Sequence, residues 1–376
     1  MMSDLQRLGE FGWIERQSRS LAVRAGVRLG IGDDCAVLDA LQTPVVTCDC
    51  LVEEIHFRRD WSSPRQLGRK SLSVSVSDVA AMGARPVAAF VSLALPREIG
   101  LSFLDEFYRG LEEIAAHFSF TVAGGDTSRS PRGLMINVAL VGEAAASEAA
   151  AASGELPEEQ TLPLLRSGAR ANDVLLVTGT LGDSAAGLWL LQNPQTVVAP
   201  SSTEFLLRRH LDPQARCEEM QAALQIGGVH AAIDLSDGLA GDAAHIARRS
   251  ALSLEIETAR LPISTACREV AKVAQTAQTV SKSSLISSAQ SASGEVSSAN
   301  RVLDAAQNWA LGGGEDYELL LCVAPDKAEA IARHIENETQ TQVTQIGRCV
   351  ALPEPRVKLL NGEGTEIVVP EAWTHF

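Results

Sequence analysis

Acidic residues set among small ones close off five apolar runs of this chain, and no other feature restricts its fold so tightly. The motifs are Gly30-Ile-Gly-Asp33-Asp34, Cys48-Asp49, Ser77-Asp78-Val-Ala-Ala-Met-Gly83, Gly124-Gly-Asp126-Thr127 and Asp234-Leu-Ser-Asp237-Gly238. Each flanking run is long enough for a buried strand or helix, and small neighbours let a backbone approach something bound. One such Asp alone reads as a helix cap or a turn; five in one chain argue against independent caps. If the segments converge, five or more carboxylates lie within a few ångströms and cannot all stay ionised without a cation between them. The surrounding donors are nearly all oxygen, with Thr47, Ser77 and Thr127 beside the carboxylates. That set selects hard Mg²⁺ over zinc or copper, and Mg²⁺ in turn suggests phosphates.

The 376 residues suggest two domains. With 45% apolar and 21% charged residues, global disorder and fibrous architectures are poor readings. A net charge of -15 disfavours nucleic acid and anionic membrane as partners. No apolar run approaches the roughly 18 residues of a membrane span, and the opening Met-Met-Ser3-Asp4 lacks a signal-peptide profile. Seven scattered cysteines without a C-x-x-C pair fit neither a disulfide framework nor a zinc site. The expectation is a soluble cytoplasmic protein.

Helices are expected over 3–25, from Ser62-Ser63-Pro64 to about Met82, and over 102–118, with strands at 44–48, 87–95, 120–123 and 134–141. A polar link at 143–170 separates this stretch from a second alternation. There the strands are 173–178, 231–235 and 253–257, and the helices begin near Ser184, span 203–225 and cover 239–250. The expected domains are therefore 1–142 and 171–376, in an α/β or α+β fold. Within the second, a Ser/Ala-rich stretch at about 270–303 offers little apolar surface and reads as a flexible insertion.

The chain has no G-x-x-x-x-G-K-[ST], and Gly30-x-Gly32 does not continue as a dinucleotide fingerprint. The turn Thr178-Gly-Thr-Leu-Gly-Asp183-Ser184 offers helix-terminal N–H groups to an anion only weakly and reads as a structural turn. Nor is there a Ser/His/Asp or Cys/His constellation for a covalent nucleophile. Six histidines, His210 among them, lie in no motif and read as ordinary structure.

With Gly313-Gly-Glu-Asp-Tyr317 added in order, the motifs resemble those of the thiamine-monophosphate kinase family. Leu8-Gly-Glu-Phe-Gly12 and Trp373-Thr-His-Phe376 resemble that family's termini. The resemblance implies a two-domain fold of the aminoimidazole-ribonucleotide-synthetase type and a homodimer whose N-terminal domains join their sheets. It implies ATP-dependent phosphorylation of thiamine monophosphate to thiamine diphosphate, with several Mg²⁺ ions, and admits a monovalent cation beside them. Carried over by position, the metal ligands are Asp34, Thr47, Asp49, Asp78, Asp126, Asp234 and Asp237, with Asp33 auxiliary and Cys48 through its backbone carbonyl. Tyr108, Gly125, Asp126, Arg166 and Ser236 would contact ATP; His56, Glu315 and Trp373 would contact the thiamine substrate. Cys48 stands where the family usually has Thr, and the 143–165 and 264–306 segments look longer than usual. Other ATP-using enzymes of the same superfamily remain the nearest alternative, and a non-catalytic metal- or nucleotide-binding protein the more distant one.

Overall fold

In the computed structural model, residues 4–31, 35–144, 163–286 and 303–369 are described. They form two compact units, one of residues 1–164 with 211–225, the other of 165–210 with 226–376.

In the first unit α1 (Asp4–Ser18) is shorter than the helix expected to Ala25, and the chain turns at Arg19–Ser20. A small pair, β1 (Val27–Leu29) and β2 (Val37–Leu38), leads into β3 (Pro44–Val52). Then follow α2 (Pro64–Ala81), β4 (Arg85–Leu95), α3 (Leu101–His117), β5 (Thr121–Arg129) and β6 (Met135–Glu143). The start of α2 was legible: Ser63 caps it, its hydroxyl accepts from the Gln66 N–H while the Gln66 side chain reaches back, and Pro64 fills the first turn. The four large strands lie in the order β3-β6-β4-β5, antiparallel except for the parallel β4–β5 pair. Strand alternation sends Leu51, Val91, Leu93, Ile136, Val138 and Leu140 to the buried face, against which α2 and α3 pack. The opposite face leaves Val46, Cys48, Cys50 and Met135 exposed.

Helices α2 and α3 touch through two glycines. A Cβ on Gly68 would lie 2.1 Å from the Phe107 carbonyl oxygen, and one on Gly110 would lie 2.1 Å from that of Arg65. Because both obstacles are backbone, Gly68→Ala is expected to lower stability by about 1–3 kcal/mol. A urea midpoint unchanged from the parent would contradict this packing.

The second unit holds a seven-stranded sheet with helices around it. Its strands are β7 (Val174–Thr178), β8 (Val229–Asp234), β9 (Ser253–Glu257), β10 (Leu319–Val323), β11 (Val343–Val350), β12 (Val357–Leu360) and β13 (Glu366–Ile367). Their order is β13-β12-β9-β11-β7-β10-β8, with β12–β9 the parallel pair. The helices are α4 (Asp183–Gln192), α5 (Pro200–Leu211), α7 (Leu239–Ser250), α8 (Thr265–Ile286), α9 (Ala305–Gly312) and α10 (Ala328–Thr339). One core packs Leu239, Ala243 and Ile246 of α7 against Leu175, Ile233, Leu254 and Leu320 of the sheet. A smaller one joins α4, α5, α8 and α9 through Ala186, Leu206, Val270 and Ala306.

Two expectations need correction. The span 171–376 is not one compact unit, since α6 (Cys217–Ile226) packs with the first: the Cys217 thiol lies 3.9 Å from the Val76 carbonyl and Arg85 donates to Gln221. The 270–303 stretch is helical to Ile286, because Cys267, Val270, Ala271 and Ala274 recur at helical spacing and are buried. Residues 287–302 lie outside the described residues.

Candidate active site

In the first unit the alternation of β3 turns Cys48 and Cys50 outward and Asp49 toward α2. Ser75 and Asp78, three apart on one face of α2, meet it there. The Ser75 hydroxyl donates to Asp49 Oδ2 at 2.6 Å, and the Thr47 hydroxyl donates to Asp78 Oδ2. Burial, with the Asp78 charge next, pushes the Asp49 carboxyl up to about 6. Thus Thr47, Asp49 and Asp78 do come together. The Cys48 thiol faces the other way and accepts from Asn137 Nδ2 at 3.2 Å.

Asp126 stands apart from that pair. Its cross-strand row runs Asp126, Ser92, Asn137, Cys50, which places it on the outward face, three strand spacings or about 14 Å from β3. Its Oδ1 accepts the Thr127 N–H at 2.8 Å. Gly125 before it, within β5, has φ +153°, and a Cβ there would lie 1.9 Å from the Val91 oxygen of β4, so the close approach of the two strands requires glycine. His56 sits in the 53–57 turn after β3, and its Nδ1 accepts the Val52 N–H at 3.0 Å. That bond leaves the ring proton on Nε2, as a donor. Tyr108 is buried, its ring edge-on to Trp13 and Phe107, and burial raises its phenol far above the ordinary value.

In the second unit two motifs are stitched together. The Glu315 N–H donates to the Ser236 oxygen at 2.7 Å and the Tyr317 N–H to the Leu235 oxygen at 2.9 Å. Asp234 ends β8, buried, and Gly238 (φ +104°) opens α7. Asp242, one turn into α7, accepts the Asp237 N–H at 3.0 Å and so holds the turn. Burial pushes the Asp242 carboxyl up to about 7 against the pull of that N–H and of the Arg166 charge. Arg166 is exposed, its carbonyl fixed by the Ser250 hydroxyl at 2.8 Å.

Beneath Glu315 lies a network that sequence reasoning missed. Asp316 accepts the Gly182 and Ser184 N–H groups at 2.6 and 3.1 Å, so the α4 terminus is occupied by the chain's own carboxylate. Burial pushes the Asp316 carboxyl up to about 7. Arg209 Nη2 donates to Glu318 Oε1 at 2.7 Å and to the Asp316 oxygen at 3.2 Å; its Nε has no hydrogen-bond partner and lies 3.7 Å from Asp183. Thr178 donates to Glu318 at 2.7 Å, and Thr180 and Ser264 donate to Asp183.

Among the described residues, no three His, Cys, Asp or Glu side chains stand close enough to hold one metal ion. The carboxylates named from sequence are shared between the two units, and Asp33, Asp34 and Trp373 lie outside the described residues.

Residues 32–144 match the family described as "AIR synthase related protein, N-terminal domain", and residues 170–359 match its C-terminal domain. The chain is 36% identical over 318 residues to the thiamine-monophosphate kinase of Escherichia coli O157:H7, covering 84% of this chain and 82% of that one. It superposes on the thiamine-monophosphate kinase of Stenotrophomonas maltophilia K279a with TM-score 0.69 at 30% identity, covering 92% and 94% of the two chains. A structure described as "AaThiL complexed with AMPPCP and TMP" matches over 100% of both chains at 30% identity, TM-score 0.66. With both domains matched and kinases of 30% identity or more aligned over most of their length, the chain belongs to the AIR synthase-related proteins and, within them, to the thiamine-monophosphate kinase family.

Proposed function

We propose that the chain transfers the γ-phosphoryl group of ATP to thiamine monophosphate, giving thiamine diphosphate and ADP. The observation that carries this reading is the joining of Ser236 to Glu315 by a backbone hydrogen bond. It sets an expected ATP contact beside an expected thiamine contact. A relative bound to AMPPCP and TMP supports the same pair of ligands.

The acidic residues fit a hard divalent cation. Asp49 and Asp78 repel one another, are met by hydroxyls, and leave Asp49 with a raised affinity for a proton. We assign Mg²⁺ to Thr47, Asp49 and Asp78, with Asp33, Asp34 and the Cys48 carbonyl, to Asp126 apart from them on the other face of the sheet, and to Asp234 and Asp237. When bound, Mg²⁺ offsets the charge of two phosphate-bearing reactants.

The protein's own part is orientation. Arg166 suits a phosphate, and the Nε2–H of His56 and the carboxylate of Glu315 offer a donor and an acceptor to the thiamine. The acceptor phosphate is already ionised at neutral pH, so direct in-line attack needs no strong base. The one Ser–His–carboxylate contact described, Ser184–His210–Glu315, uses a single ring nitrogen for both neighbours. It therefore cannot relay a proton from serine, which argues against a covalent intermediate there. Exposed Val46 and Met135 on the open sheet face favour a homodimer joined through it. We place the protein in the cytoplasm; no helix among the described residues is long and apolar enough to cross a membrane.

Incubation with labelled ADP and ATP tests the direct route. Without thiamine monophosphate no ATP–ADP exchange is expected; exchange would reveal a phosphoenzyme and overturn direct transfer.

A further inference from the structure

The α5 helix ends in an Arg209-His210 pair whose two side chains serve different ends. Arg209 holds the interior, as described above. His210, itself buried, reaches a group that the solvent also reaches: its Nδ1 lies 3.2 Å from Oε2 of Glu315, whose side chain is 26% exposed. The same nitrogen is 3.0 Å from the buried Ser184 hydroxyl. A carboxylate oxygen can only accept, so the arrangement requires a proton on Nδ1, and the serine oxygen then shares it as a second acceptor. Glu315 also carries φ +66°, a conformation that non-glycine residues adopt at a cost and keep only where surroundings enforce it. Its backbone is enforced by the Ser236 oxygen, and the contact from His210 restrains its side chain.

We propose that His210 is a positioning residue for substrate recognition: it fixes the Glu315 carboxylate in the orientation that receives the cationic or amino-bearing part of thiamine. The proposal rests on the reading of Glu315 as a thiamine contact. An unrestrained glutamate would have to give up its rotamer freedom on binding, whereas one held by His210 has already done so. A carboxylate-directed hydrogen bond is among the stronger ones, so its loss is visible in binding.

The test is steady-state kinetics of His210→Leu, His210→Asn, Glu315→Ala and the His210→Leu/Glu315→Ala double variant. His210→Leu removes the donor and is expected to raise KM for thiamine monophosphate on the order of tenfold, with KM for ATP within about twofold. His210→Asn, whose amide nitrogen can occupy the place of Nδ1, is expected to recover most of that loss. The double variant is expected to be no worse than Glu315→Ala alone. If His210→Leu does not fold, His210→Gln, which fills the pocket but sets its amide beyond that place, carries the same expectation. Equal rises in both KM values, or losses that add in the double variant, would overturn the proposal while leaving Glu315 as a substrate contact. A Glu315→Ala enzyme with an unchanged KM for thiamine monophosphate would overturn that underlying reading, and this proposal with it.

Discussion

Asp49→Ala is expected to cut the rate of thiamine monophosphate phosphorylation by about a hundredfold to a thousandfold, the usual cost of deleting one group that stabilises transition-state charge. The same variant is expected to be as stable as the parent, or more so, when a chelator keeps both free of metal. Asp49 is raised from 3.8 to about 6, chiefly by burial and next by Asp78. A carboxyl raised in this way contributes stability below its unfolded value, and that contribution is lost as pH rises through about 6. At pH 8 the ionised carboxylate therefore opposes folding and alanine removes the opposition; at pH 5 the advantage of alanine shrinks. Near-normal turnover, or a metal-free variant that melts well below its parent at pH 8, would contradict the placement of Asp49 in a cation-seeking pair.

Arg209→Met carries the largest expected loss of stability. The guanidinium lies among Asp183, Asp316 and Glu318, all buried, and its removal leaves their charge uncompensated. Deleting one partner of a buried ionic network typically costs about 3–5 kcal/mol. The deficit should depend on pH in a definite direction. Asp316, raised to about 7 mainly by burial, already favours folding most at low pH, and loss of Arg209 raises it further. The gap between variant and parent is therefore expected to narrow as pH falls from 8 toward 5, where protonation of Asp316 removes part of the uncompensated charge. Denaturant titrations at the two pH values measure it; a gap that is constant or widens toward pH 5 would show that Arg209 matters for packing alone.

Much of this was legible in the sequence because it is written locally. Ser63 and Gln66 announce the start of α2, and the bounds expected for the helix over 239–250 and the strand over 253–257 recur in the structure. The meeting of Thr47, Asp49 and Asp78 follows from a period of two on β3 and of three to four on α2. The α8 helix carries a faint sequence signal because its buried apolar stripe runs only from Cys267 to Ala274, just before a Ser/Ala-rich tract with little periodicity. Asp242 carries no signal, since a mid-helix Asp reads as solvated until its carboxylate is seen to take the Asp237 N–H. Arg209 and His210 were illegible for a deeper reason. Their partners at 315, 316 and 318 lie more than a hundred residues away, and only the docking of α5 beside the sheet brings them together. Asp126 shows the opposite case: its motif is plain, yet strand register sets it on the other face of the sheet from Asp49.

The central claim is the chemical one, and a coupled measurement of both products tests it most directly. With purified protein, ATP, Mg²⁺ and thiamine monophosphate, thiamine diphosphate and ADP should appear in a one-to-one ratio. Replacing thiamine monophosphate by thiamine should yield neither. ADP released without thiamine diphosphate, or thiamine phosphorylated in place of its monophosphate, would contradict the account.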